Sequence, residues 1–231
     1  MKSALALGHS LDTGQAAHDH ALGQKVWEYF RDDPEDNEAF NRGLAEIRTD
    51  EQAAIAAAYD WSGVKSVVDV GAGAGALLAS IVGGNPGVRG ILFDRPDVLP
   101  DAGHLLERRG VRERCELVGG SFFEPIDVQG EVWIPSQVLH DWPDAECRAI
   151  LKRRRERMSF EDRLLVVEMV PVPGQPDAGI ALLDMVMMMF GGEARQRTEA
   201  EYNQLFAATD FGAARVIRRG TAFRILEAKP S

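Results

Sequence analysis

The sequence predicts an α/β fold in which a seven-stranded, mostly parallel sheet ends in an antiparallel hairpin and follows an N-terminal helical segment. From Ser66 onward, apolar strand patterns alternate with helical patterns, and a glycine-rich turn joins the first strand to the first helix of this alternation. The last two strand patterns are too close together for a crossover helix, so they must pair antiparallel. We predict strands over residues 66–70, 89–94, 115–119, 131–134, 163–168, 213–218 and 222–228.

We divide the chain into an N-terminal helical segment, residues 1–62, and a sheet domain, residues 63–231. The N-terminal segment is rich in alanine and shows no strand pattern. Thr49 and Gln52 have the spacing of a capping box, which predicts a helix start before residues 53–59. The histidines of His18-Asp19-His20 are two residues apart and do not share a helix face, so we expect exposed surface there instead of a metal site.

Composition excludes several functional classes. The chain of 231 residues has 45% hydrophobic residues and a formal net charge of −10, which suits a soluble globular domain and argues against binding nucleic acid. The basic run at residues 152–155 is expected to be a solvated helix face. Cys115 and Cys147 lack metal-ligand spacing and are expected to be buried thiols in a reducing compartment. Without a signal peptide or a membrane-length apolar run, the expected location is the cytoplasm, away from membranes.

The first strand, the glycine turn and the following helix resemble a nucleotide-binding element. Gly71, Gly73 and Gly75 would let a ligand approach main-chain N–H groups at the start of a helix. No Lys-Ser/Thr pair follows, which excludes a P-loop, and Asp94 ends the second strand at the interval where a carboxylate accepts from ribose hydroxyls. The pattern predicts a cofactor that contains adenosine, although glycines needed only for packing remain the alternative.

Two side chains with acid–base chemistry follow neighbouring strands. His140 lies in the loop after the fourth strand, just before the helix that begins near Pro143, and Glu168 ends the fifth strand. A carboxylate that accepts from one imidazole nitrogen leaves the other nitrogen as a general base. A structural histidine and a solvated strand-end carboxylate are the alternatives. Since ligands bind at the carboxyl ends of parallel strands, Gly71, Asp94, Ser121 and His140 should converge.

Six motifs, in this order, resemble the small-molecule O-methyltransferases of bacterial natural-product pathways and plant phenylpropanoid metabolism. The resemblance extends from about Gly8 to the C-terminus, and it implies the Rossmann-like fold of the class I S-adenosylmethionine-dependent methyltransferases. The motifs occupy residues 69–75, 93–94, 119–125, 138–142, 166–168 and 196–201.

The resemblance also implies roles for individual residues. His140 would be the general base and Glu168 its flanking carboxylate, in an O-methyltransferase that acts on a hydroxyl of a small aromatic acceptor. Met187, Asp141 and Trp142 would bind this acceptor, whereas Met185, Met188 and Met189 are expected in the core. The residues implied to bind S-adenosylmethionine are Asp69, Gly71, Gly73, Gly75, Asp94, Ser121, Phe122 and Ser136.

The sequence departs from the family pattern at three places. Ser121 replaces an aspartate found in many members, and Gln196 replaces a second catalytic glutamate. The sequence also begins at the helices that follow the family's winged-helix dimerisation region. Either a separate winged-helix chain supplies that region, or the sequence is a fragment, or the acceptor pocket is unusually open, and a homodimer is a further possible assembly. Alternatives are a relative that binds S-adenosylmethionine but catalyses hydroxylation or cyclisation, half of a heteromeric methyltransferase, and a dehydrogenase.

Overall fold

The computed structural model describes residues 2–217 and 223–231, with the backbone alone for residues 40–50. Helices and strands alternate from Ser66 onward, after an N-terminal segment that is helical as predicted. The helices of the described part are α1 Lys2–Leu5, α2 Leu7–Thr13, α3 Ala17–Leu22, α4 Val26–Asp32, α5 Pro34–Ala58, α6 Ala76–Gly84, α7 Leu99–Arg108, α8 Asp144–Arg155, α9 Ala178–Gly191 and α10 Glu199–Ala207. None of them is long and apolar enough to cross a membrane.

The described residues form one sheet of seven strands, which are β1 Ser66–Val70, β2 Arg89–Asp94, β3 Cys115–Gly119, β4 Val132–Pro135, β5 Arg163–Met169, β6 Arg215–Val216 and β7 Phe223–Ala228. Their order in the sheet is β3-β2-β1-β4-β5-β7-β6. Strands β1 to β5 are parallel, whereas β7 pairs antiparallel with both β5 and β6. This topology confirms the predicted sheet and its antiparallel end.

Apolar side chains cover both faces of the sheet. Val67 of β1 belongs to the layer under α6, with Leu78. Val68 belongs to the opposite layer, with Ile150 of α8. Alternate residues of one strand therefore enter two cores, as expected for parallel strands buried between helices. From β1 the chain continues to β2 and β3 on one side of the sheet and then to β4 and β5 on the other side. This change of direction opens a crevice at the carboxyl ends of β1 and β4.

Two predicted elements differ from the structure by several residues, and one predicted connection lies outside the described residues. Helix α5 runs through residues 49–52 without a break, so the predicted start there is wrong. It begins at Pro34, because the Asp33 carboxylate accepts from the amide of Asp36 and proline is favourable in a first turn. Strand β6 contains only Arg215 and Val216 of the predicted 213–218, and the predicted hairpin connection at Arg219-Gly220 lies outside the described residues.

Three residues differ from the prediction in whether their side chains are buried or exposed. His18 is buried, and its Nδ1 lies 3.1 Å from the Ser3 hydroxyl, so the predicted exposure is wrong for this residue. Arg154 is also buried, because it continues the inward stripe of α8 at helical spacing from Cys147, Ile150 and Leu151. Met185 is 44% exposed instead of lying in the core.

Candidate active site

A cavity of about 1220 Å³ opens at the carboxyl ends of β1, β2 and β4, with residues of the N-terminal helices and of α9 on its other side. Nearly all the predicted site residues line it, although they come from distant parts of the chain. Gly75 and Glu168 are the exceptions among them. The predicted residues at the cavity wall are Asp69, Gly71, Gly73, Asp94, Ser121, Phe122, Ser136, His140, Asp141, Trp142 and Met187.

The glycine turn combines packing with an open cavity wall. Gly71, Gly73 and Gly75 have φ values of 69°, 55° and 78°, in the left-handed region that favours glycine. A Cβ at Gly71 would lie 2.7 Å from a Val138 methyl, and one at Gly75 would lie 2.6 Å from Leu92. A Cβ at Gly73 would meet nothing within 4 Å. Gly75 is therefore a packing glycine, whereas Gly73 leaves space beside the cavity.

Two carboxylates lie at the ends of β1 and β2. Asp69 is buried, and neither of its oxygens has a hydrogen-bond partner of normal geometry among the described residues. Burial and, to a smaller extent, the charge of Asp94 raise the pKa of Asp69 to about 7, against a weaker opposing effect of the Leu78 amide. Asp94 accepts from the amides of Gly73 and Arg95, both at 2.7 Å, while burial raises its pKa. The site therefore offers acceptors to a ligand that carries a cation or hydroxyl donors.

His140 and Glu168 form a buried pair, with His140 at the cavity wall and Glu168 behind it. The chain leaves β4 through Gln137, whose φ of 56° turns it toward a 3-10 turn at Leu139–Asp141 that carries His140. The Nδ1 atom of His140 lies 2.6 Å from Glu168 Oε2. Glu168 Oε1 accepts from the amides of Leu139 at 2.9 Å and His140 at 3.3 Å. The predicted proximity of the two residues is observed, and Glu168 orients the ring through Nδ1.

Asp141 lies on the other side of the imidazole. Its Oδ1 is 3.2 Å from His140 Nε2, so the ring is held between two carboxylates. Burial alone would lower the pKa of His140, but the charges of Glu168 and Asp141 and their hydrogen bonds raise it to about 10. The two carboxylates therefore stabilise the protonated ring, and Nε2 becomes a base only after it loses its proton.

An aromatic wall adjoins this pair. Trp142 packs edge-to-face against Phe122 and Phe123, at ring distances of 5.7 Å and 4.7 Å. On its other side it stacks on Trp27 of α4 at 6.5 Å. Trp27 lines the cavity but was not predicted as a site residue, although it belongs to the N-terminal part of the family resemblance. Met187 completes this side as a buried residue of α9.

Gln196 does not line the main cavity. It is buried beside a separate cavity of about 460 Å³, together with Asp184 of α9, and no described residue hydrogen-bonds its side-chain amide. Its backbone amide donates to Asp184 Oδ1 at 2.6 Å. Gln196 therefore contributes no side chain to the described wall of the main cavity. The described residues also contain no cluster of three or more histidines, cysteines or carboxylates suited to a metal ion.

A crevice at the switch point, two carboxylates at strand ends and a histidine–carboxylate pair define an α/β domain of the class I methyltransferase type. The chain belongs to the O-methyltransferase domain family, whose sequence profile matches residues 5–212. This result confirms the resemblance found in the motifs.

Named relatives and solved structures are similar over nearly the whole chain. A phenazine O-methyltransferase of Lysobacter antibioticus is 38% identical over 96% of this chain and 65% of its own length. A mitomycin biosynthesis 6-O-methyltransferase of Streptomyces lavendulae is 36% identical, over 96% and 63%. The structure of the mitomycin 7-O-methyltransferase MmcR superposes with a TM-score of 0.95 at 35% identity, covering all of this chain and 68% of that one.

One similar structure contains both a cofactor and an aromatic acid. The O-methyltransferase NcsB1 of neocarzinostatin biosynthesis was crystallised with S-adenosylmethionine and 2-hydroxy-5-methyl naphthoic acid. It is 30% identical, with a TM-score of 0.88, over 99% of this chain and 68% of that chain. The present chain thus spans about two thirds of the length of these proteins.

Proposed function

We propose that the protein is an S-adenosylmethionine-dependent O-methyltransferase that acts on a hydroxyl of a small aromatic acceptor, with His140 as the general base. One observation carries the proposal: His140 and Asp69 line the same cavity, and Glu168 holds the imidazole from behind. The named relatives, which are O-methyltransferases of natural-product pathways, support the same reaction class.

The residues of the cavity fit the cofactor. S-adenosylmethionine supplies, when bound, an electrophilic methyl group on a positively charged sulfur. Its ammonium group would satisfy the Asp69 carboxylate, which has no protein partner of normal geometry in the described chain. The Asp94 carboxylate would accept from its ribose hydroxyls, while Ser121, Phe122 and Ser136 lie along the same wall. Gly73 leaves room for a ligand beside the main chain.

His140 would remove the proton of the acceptor hydroxyl. A phenol with a pKa near 10 is ionised to only about one part in a thousand at neutral pH, which costs about 4 kcal/mol. A neutral Nε2 offsets part of that cost by accepting the proton as the oxygen attacks, and Glu168 stabilises the resulting imidazolium. Because Asp141 contacts Nε2, the acceptor hydroxyl must take its place on that nitrogen. In this proposal Asp141 gives up its contact with Nε2 when the acceptor hydroxyl binds there.

The wall of the cavity favours an aromatic acceptor. Trp142, Trp27 and Met187 present flat or polarizable apolar surface beside the histidine, which suits a ring that carries the reacting hydroxyl. Binding in that slot would align oxygen and methyl group, and such orientation can contribute about 7–11 kcal/mol. We therefore expect positioning to contribute more than base catalysis.

The test is product formation from S-adenosylmethionine and a panel of phenols, naphthols and hydroxylated heteroaromatic acids. We expect S-adenosylhomocysteine together with an acceptor that has gained one CH₂ by mass spectrometry. His140→Gln, which keeps a polar side chain without a base of suitable pKa, should lower kcat by about 10²–10⁴ while cofactor affinity changes little. Full activity in that variant would refute the base assignment. An oxidised or cyclised product without methyl transfer would refute the reaction class.

A further inference from the structure

Arg197 is a buried cation directly beneath the turn that carries His140. It lies between α9 and α10, and its side chain is fully buried. The guanidinium donates to the carbonyl of Leu139 at 2.8 Å and to the carbonyl of Trp142 at 2.7 Å. Its Nε donates to Asp144 Oδ1 at 2.9 Å. One rigid side chain therefore binds both ends of the Leu139–Asp141 turn and the first residue of α8.

Arg197 supplies strong hydrogen-bond donors to two backbone carbonyls for which the short turn itself has none. The Leu139 carbonyl otherwise accepts from the Trp142 amide at 3.3 Å and from the Cys147 thiol at 3.1 Å, both weaker donors than a guanidinium. Burying a carbonyl without a good donor costs free energy, so the native path of the turn depends on Arg197. A planar fork with several donors suits carbonyls on either side of a turn, whereas a lysine ammonium is a compact point charge.

The segment at residues 196–197 also contacts α9, the helix that carries Met187. Gln196, the residue before Arg197, donates its backbone amide to Asp184 at 2.6 Å. Asp184 lies three residues before Met187 in α9, so both are on neighbouring turns of one helix. Residues 196–197 therefore connect the turn that carries the histidine to the helix that carries the methionine at the cavity wall.

We propose that Arg197 is a positioning residue, which holds the Leu139–Asp141 turn so that His140 meets Glu168 through Nδ1 and faces the cavity through Nε2. Arg197 does not line the cavity, so it acts through His140 and contacts neither acceptor nor cofactor. Its effect on the rate rests on the proposed methyl transfer, whereas its effect on the geometry of His140 does not.

The test compares Arg197→Lys with Arg153→Lys in the full chain. Both changes keep the charge, and Arg153 is a control on the exposed side of α8, where it pairs with Glu156 at 3.2 Å and makes no described contact with the turn or with Asp144. We expect Arg197→Lys to lower kcat about 10–100-fold, with cofactor affinity within about twofold. By NMR titration the pKa of His140 should fall by about one unit or more, because a displaced ring loses its alignment with Glu168 and Asp141. Arg153→Lys should leave both quantities unchanged.

The titration separates this proposal from the proposed function. An unchanged His140 titration in a folded Arg197→Lys protein overturns the positioning role, whatever the activity. A shifted titration in a protein without methyl transfer keeps the positioning role and refutes the reaction. Should Arg197→Lys fail to fold, Asp144→Ala removes the carboxylate partner of the guanidinium from a half-exposed site. A smaller shift of the His140 titration in that variant supports the role, and no shift overturns it.

Discussion

The contact between Asp141 and His140 predicts that replacing one acidic residue lowers the pH at which the enzyme becomes active. Asp141→Asn removes the charge next to Nε2, while the amide oxygen can still accept a hydrogen bond at the observed 3.2 Å. A raised pKa means that His140 is protonated, and unable to act as a base, over the pH range below that pKa. Lowering it should therefore move the rise of activity toward acid.

The size of the shift follows from the distance. Two unit charges centred about 4 Å apart interact by about 4 kcal/mol at an effective dielectric constant of 20, which corresponds to about three pKa units. The side chain of Asp141 is 20% exposed, so solvent screens part of this interaction. Glu168 remains as the stronger partner at 2.6 Å. We expect the acid limb of the profile to move down by about 1–2 pH units.

The assay is the single-turnover rate of methyl transfer as a function of pH, at saturating cofactor and acceptor, with NMR titration of His140 in the free protein. Glu107→Gln is the control, since it makes the same change in net charge on the exposed end of α7 and should leave the profile in place. A profile of Asp141→Asn that stays at the wild-type pH, or moves toward alkali, would contradict the assigned effect of Asp141 on the base.

Two further predictions concern Asp94 and the glycine turn. Asp94→Ala removes the carboxylate that faces the proposed ribose site and accepts from the Gly73 amide at 2.7 Å, so calorimetry should show cofactor affinity reduced about 10–100-fold, whereas equal affinity would remove Asp94 from the site. Gly75→Ala places a methyl group 2.6 Å from Leu92 at a φ of 78°, and chemical denaturation should show a loss of about 1–3 kcal/mol, with an unchanged midpoint counting against the packing role.

Much of the fold could be predicted because local patterns report it directly. The β-branched run before Gly71 and the apolar run before Asp94 gave two strand predictions that agree with β1 and β2 at both ends. The convergence of Gly71, Asp94, Ser121 and His140 followed from the rule that parallel strands end at one edge, and all four line the cavity. Such rules need only the order of the elements, which the sequence contains.

Other features depended on partners that are distant in the sequence. The burial of Arg154 required the ring of Trp133, 5.4 Å away, to accept a guanidinium against its face. The burial of His18 required Ser3, and the short β6 is set by its pairing with β7. A run of basic residues or a histidine pair looks the same in the sequence whether its neighbours in space are water or protein.

The sequence by itself determined the class of fold, the glycine turn, and the pairing of a histidine with a strand-end glutamate, because periodicity and position along a strand decide these features. Only the tertiary structure decided that Asp141 contacts the second imidazole nitrogen, that Arg197 lies beneath the same turn, and that Gln196 lies beside a separate cavity. The position of Arg197 depends on distances of a few ångströms between segments about sixty residues apart in the sequence. The contact between the neighbours His140 and Asp141 depends on the exact backbone path of their turn, and no local pattern encodes either arrangement.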